Sequence, residues 1–155
     1  MNYVLVLAFG IGIVAGLRSL TAPALVAWAA HLGWLNLHGS PLAFMGSIPA
    51  VAIFSLLAIS ELVADKLPKT SKRTAPAPLL ARVITGGLCG ASLCAAAGKS
   101  LLFGALLGGI GGVVGAFVGY DIRRRLVNNL NIKDFFVAIC EDLIAIGLAW
   151  LLVSR

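Results

Sequence analysis

The sequence predicts an all-α fold, a polytopic integral membrane helical bundle of about five to six apolar helices, and three observations carry that prediction. Hydrophobic residues make up 60% of the 155-residue chain and 18 further positions are glycine, where soluble domains hold roughly 45–50% apolar residues with glycine included. Charged residues make up only 12%, about half the usual share, so there are too few polar groups to clothe a surface facing water. The apolar residues also fall into consecutive runs divided by short polar connectors, and residues 1–155 read as a single integral membrane domain.

The first run, Tyr3–Leu17, resembles the hydrophobic stretch of a signal peptide. No Lys or Arg precedes Arg18, however, and Pro23 adjoins the small residues that would be cleaved, so the run is expected to stay as a helix. The second covers 22–35. Each would be about 22 Å long as a helix, too short for a hydrocarbon core of about 30 Å. Arg18-Ser19-Leu20-Thr21 separates them and Pro23 follows, which predicts a short broken or re-entrant hairpin. The third run, Ile48–Ala64, barely spans. Runs 79–97, 101–120 and 135–153 are long enough to cross.

Charge counting favours the hairpin over one continuous helix through Arg18. Six alternating segments put Arg18, Lys66, Lys69, Lys72, Arg73, Arg82, Arg123, Arg124, Arg125 and Lys133 on one side and leave only Lys99 and Arg155 opposite, the bias that marks a cytoplasmic face. A continuous helix strands Arg18 in the apolar slab at about 2.5–3.5 kcal/mol. Clustered positive charge of this kind orients a membrane protein and does not track a nucleic-acid backbone, so nucleic acid is not an expected partner. The lipid bilayer is, with anionic lipids as candidates for the basic loops. A short echo, Thr21-Ala22-Pro23-Ala24 after Arg18 and Thr74-Ala75-Pro76-Ala77 after Arg73, opens two of the runs. In each, Pro falls where a helix's first turn tolerates it.

The fifth run carries two glycine rows, Gly104, Gly108 and Gly112, then Gly111, Gly115 and Gly119. In lipid such rows let helix backbones approach closely. Gly86 with Gly90, and Ala8 with Gly12 and Gly16, repeat the device. The rows serve packing within the chain, the seam of a homo-oligomer or a pathway lined by backbone.

Ionisable groups inside membrane segments are costly unless paired, which makes them functional candidates. Glu61 and Asp65 share one helix face, and Glu141 and Asp142 lie about 10 Å into the last run, a depth that Glu61 and Arg18 can also occupy. Arg18, Glu61, Asp65, Glu141 and Asp142 therefore form a candidate binding or ion-pair cluster, in which Arg18 is expected to pair with at least one of Glu61, Glu141 and Asp142. Asp65 and Lys66 are placed at the headgroup layer, and Asp121 beside Arg123–Arg125 reads as a helix-end ion pair. Cys89, Cys94 and Cys140 lie in apolar runs without CxxC spacing and are read as reduced core residues. His31 and His38 have no companion ligands, so neither a metal nor a cofactor is expected.

Gly16-Leu17-Arg18-Ser19 with Pro23, Glu61-Leu62-Val63-Ala64-Asp65-Lys66-Leu67-Pro68, and Arg73-Thr74-Ala75-Pro76 with Arg82 together resemble a family of small bacterial inner-membrane proteins, the domain of unknown function DUF4126. The resemblance implies a multi-pass protein of the bacterial inner membrane and no established activity. Three functions fit the residues. A small transporter or channel would use the buried charges at a broken helix, whose free backbone groups can replace water around a solute. A structural or assembly protein would use the glycine rows and basic loops to organise partners or anionic lipids. A lipid-headgroup enzyme would need a nucleophile–base pair or metal signature, and the sequence presents neither, so the reading leans away from an enzyme.

Overall fold

The computed structural model describes residues 3–67 and 74–155; Pro68, Lys69, Lys72 and Arg73 of the patterns above lie outside the described residues. Six α-helices follow in order: α1 (Tyr3–Leu17), α2 (Thr21–His31), α3 (Ile48–Ala64), α4 (Pro76–Ala96), α5 (Leu101–Leu130) and α6 (Asp134–Val153), with one 3₁₀ turn at Ala43–Gly46 and no strand among the described residues. Three of them, α4, α5 and α6, are long and apolar enough to cross a membrane. Large apolar side chains such as Leu102, Phe103, Leu143 and Leu151 lie on the outside, the arrangement of a protein whose solvent is lipid.

Local sequence explains the helix ends. Pro76 stands at the first position of α4 and Pro49 at the second of α3, where the missing N–H has no helical partner to lose. Ser47 caps α3 by accepting the Ala50 N–H at 3.3 Å. Asn131, in the left-handed conformation at φ 50°, ends α5 and turns the chain into α6. Two boundaries differ from hydropathy by a helical turn or more. Helix α2 stops at His31 instead of continuing to residue 35, and Gly33 just beyond takes a left-handed φ of 81°. Helix α5 runs ten residues past Tyr120, because Arg and Leu are good helix formers and Asp121 pairs with Arg125 one turn on at 2.8 Å. Hydropathy marks the apolar slab, whereas the helix continues out of it.

Helices α1, α4 and α5 form the tightest part of the bundle, and glycine makes their approach possible. A Cβ on Gly104 would meet the Gly90 carbonyl oxygen at 2.5 Å, and one on Gly112 would meet that of Arg82 at 2.6 Å. Gly108 meets Gly86 of α4, while Gly111 and Gly115 meet the backbone of Phe9 and Ile13 of α1. The Gly111–Gly115 row thus faces α1, and the Gly104–Gly108–Gly112 row faces α4 while Gly108 and Gly112 also touch α1. Gly119 is buried further along α5.

The same contacts give the helix directions. Gly12 lies on Gly108 and Gly16 on Gly112, so α1 and α5 run together, whereas Gly86 on Gly108 and Gly90 on Gly104 set α4 against them. A Cβ on Gly10 would lie 3.3 Å from Leu152 while Arg18 meets Asp142, so α6 opposes α1. The Trp34 ring, just past α2, stands edge-on to Trp150 at 4.9 Å, so α2 returns alongside α6. Helix α3 opposes α2, joined by Trp28 Nε1 donating to Ser55 Oγ at 3.0 Å and by Glu61 at the start of α2. The N-terminal pair is therefore a broken hairpin, and direction alternates through all six helices.

The glycine contacts generate a prediction. Gly112→Leu should destabilise the bundle by about 1–3 kcal/mol or more, since backbone rather than a movable side chain blocks the new atoms. Gly147→Leu, where nothing lies within 4 Å, should leave the melting temperature in detergent unchanged; equal losses in both variants would contradict the assignment.

Candidate functional site

The chain leaves helical geometry at Arg18, and this break is where its costly polar groups collect. Arg18 is fully buried at 0% exposure. Its guanidinium forms ion pairs with Asp65, from the end of α3, and with Asp142 of α6. Lys66 Nζ lies 3.5 Å from the other oxygen of Asp142. The expected partnership of Arg18 with Asp142 is present. Asp65, assigned above to the headgroup layer, instead points inward with a side chain only 12% exposed. It follows the last turn of α3, where one helix face carries it towards the break together with Glu61.

Glu61 has a different task from pairing with Arg18. Its Oε1 accepts the Ser19 backbone N–H at 2.8 Å and the Ser19 hydroxyl at 2.6 Å, and its Oε2 accepts the Leu20 N–H at 2.9 Å. A helix start leaves backbone N–H groups without intrahelical partners, together with a partial positive charge. Glu61 supplies a carboxylate from another helix to that start, a cap at the head of α2 that no residue of α2 itself provides. At the opposite side of the break Arg82, 5% exposed and inside α4, donates to the carbonyl of Gly16 in the last turn of α1. A cation there complements the negative end of a helix. Both cut ends thus carry a side chain of opposite charge.

Glu141 faces outward from this centre towards α5. Its carboxylate lies 3.7 Å from Arg123, which also approaches Asp65 at 3.9 Å and holds Asp134 in a two-point pair at 2.8 Å. Arg123 therefore joins the break to the start of α6. Of the chain's 6 acidic residues, Asp121 alone stands apart from this assembly, and it is held by Arg125.

Sequence reasoning counted Arg82 as a topology charge, placed Lys66 at the headgroup layer and grouped Arg123 with Arg124 and Arg125 beside Asp121, and so missed the contacts that all three make. For Arg82 a signal existed: it lies six residues past Pro76, about 9 Å inside an otherwise apolar helix, where a bare charge is costly. No local pattern marked Arg123. Cys89 and Cys94 are buried as expected, but Cys140 is exposed, because α6 buries the face bearing Asp142 and Ala145 and turns Cys140 away from the bundle centre. Thr21, the first residue of α2, is 4% exposed and its hydroxyl has no hydrogen-bond partner among the described residues. No group of three or more His, Cys, Asp and Glu with metal-binding geometry occurs among the described residues.

Chemically, the arrangement is a set of carboxylates that share cations. Asp142 is shared between Arg18 and Lys66, so removing its charge would loosen both contacts. These features define a helical membrane protein organised round a charged helix break. The chain belongs to the family described as a domain of unknown function (DUF4126), whose model matches residues 5–154. No curated protein and no solved structure matches it.

The cap generates a prediction. Glu61→Ala should cost about 1–3 kcal/mol by leaving two amides and a hydroxyl without an acceptor, and hydrogen exchange at Ser19 and Leu20 should accelerate ahead of the rest of α2. Unchanged exchange at those two amides would show that Glu61 does not hold the helix start.

Proposed function

We propose that this protein is a small multi-pass transporter or channel of the bacterial inner membrane, passing protons or small ions at the α1–α2 break. The observation that carries the reading is the break itself, where fully buried Arg18 lies between Asp65 and Asp142. Discontinuous helices at membrane depth place backbone dipoles and charged side chains around a solute path. The unpartnered hydroxyl of Thr21 at the same helix end offers one more polar group to a passing ion or water. The alternating helix directions and the positive charges at the Arg18 end support an orientation with that end in the cytoplasm.

A structural role is the second reading, favoured by the completeness of the pairing: five acids meet bases or backbone donors in one assembly, which locks helices together without any transport. In that role the protein would organise partners, anionic lipids or further copies of itself.

Two measurements test these readings. Purified protein in sealed liposomes should raise proton or small-cation flux above protein-free vesicles, and Asp142→Asn should remove most of it while the protein still reconstitutes. Flux no greater than in empty vesicles would leave the structural role. For orientation, in a cysteine-free background, a probe cysteine replacing Arg124 should react from the cytoplasmic side and one replacing Lys99 from the other; the reverse pattern would overturn the orientation.

A further inference from the structure

The chain's two histidines, His31 and His38, carried no metal expectation in the sequence, yet the connector after α2 brings both to the wall of one crevice of about 260 Å³. His31 ends α2, about 15 Å along that helix from Thr21 at the break. The crevice shares no lining residue with the Arg18 assembly. Both histidines are exposed, but the backbone that carries them is pinned to the bundle. Leu37, beside His38, and Met45, beside Gly46, are buried, and a Cβ on Gly46 would lie 3.3 Å from the Ala30 carbonyl.

His31 Nδ1 lies 3.0 Å from the Gly46 carbonyl oxygen. A carbonyl can only accept, so Nδ1 carries the proton and in the neutral ring Nε2 keeps its lone pair. A hydrogen bond from one ring nitrogen to a backbone carbonyl is the device that orients metal-ligating histidines. The His38 ring has no hydrogen-bond or ion-pair partner among the described residues. Ser47, also in the lining, is already engaged, accepting the Ala50 N–H at 3.3 Å and donating to the Phe44 carbonyl at 2.6 Å. Two imidazoles therefore set the chemistry. No carboxylate lines the crevice to supply the oxygen ligands that Ca²⁺ and Mg²⁺ take, and no Lys or Arg lines it to select an anion. Residues 19–60 contain no Asp, Glu, Lys or Arg at all. Imidazole nitrogen suits Zn²⁺, Cu²⁺ and Ni²⁺. We propose that His31 and His38 bind one divalent transition-metal ion, with water completing its shell. Two protein ligands make it an exchangeable site, unlike the closed four-ligand shell of structural zinc. The site does not depend on what passes at the Arg18 break.

The test uses the full chain freed of any affinity tag, with Cys140→Ser removing the exposed thiol, and titrates Zn²⁺ into it in detergent by calorimetry. One Zn²⁺ should bind per chain. His31→Gln and His38→Gln should each weaken binding by about ten-fold or more, the least that losing even an outer-shell partner of a ligand costs, and Mg²⁺ should not compete. In the folded parent protein, Zn²⁺ should shield both imidazoles from diethyl pyrocarbonate, read by peptide mass spectrometry. That measurement answers the question even if a histidine variant fails to fold. No binding of Zn²⁺, binding unchanged in either variant, half an ion per chain, displacement by Mg²⁺, or shielding of one histidine alone would each overturn the proposal.

Discussion

The burial of Arg18 is the constraint round which this structure is organised. An unpaired guanidinium in a low-dielectric interior costs several kcal/mol even after relaxation, and Arg18 has no water-facing surface. Two carboxylates answer it, from sequence positions 47 and 124 residues away, and each belongs to a different part of the fold. Such pairs are weak sources of net stability, because desolvation offsets most of the attraction. They discriminate strongly between arrangements, however. A bundle with α6 shifted by one turn, or with the end of α3 swung outward, would leave the guanidinium uncompensated. Arg18 thus sets the register of α6 and the end of α3 against the hairpin.

That register needs a firm frame, and the glycine contacts supply it. Lipid removes the hydrophobic drive for helices to associate, so α1, α4 and α5 rely on close backbone approach and dispersion. Gly112 is packed against the backbone of both Gly16 and Arg82. The glycine seam therefore brings α4 to the depth at which Arg82 reaches the Gly16 carbonyl. Packing and charge meet at one point on the fold, with a cation on the end of α1 and, through Glu61, an anion on the start of α2. A helix broken inside a membrane protein must find partners for its exposed backbone groups, and here side chains of α4 and α3 provide them.

Much of this was legible in the sequence, for reasons that differ by residue. The break was legible because Arg18 and Pro23 interrupt an apolar stretch that is too short on either side to span. The glycine rows were legible because a four-residue period has one meaning on a helix, although only the structure divides them between α1 and α4. The acid cluster was legible from depth, since Glu61, Glu141 and Asp142 lie at similar distances from their basic flanks. Which acid does what was not. Depth along a helix says nothing of the rotation of one helix about another, so Asp65 was placed at the headgroup layer when it pairs with Arg18, and among the three candidate partners of Arg18 depth could not separate Asp142, which pairs with it, from Glu61, which caps α2. The end of α5 escaped hydropathy because charged residues are good helix formers outside the slab.

Arg18 is tolerated through Asp65 and Asp142, and a mutant cycle on stability in detergent is the measurement that bears on this pairing. Arg18→Gln alone should cost about 3–5 kcal/mol, since it leaves two buried carboxylates without their shared cation. Adding Asp142→Asn should restore part of that loss, and adding Asp65→Asn as well should restore more, so that the triple variant is more stable than the single one. Strict additivity, with each further substitution lowering stability by its own single-variant amount, would contradict the claim and dissolve the cluster as a unit.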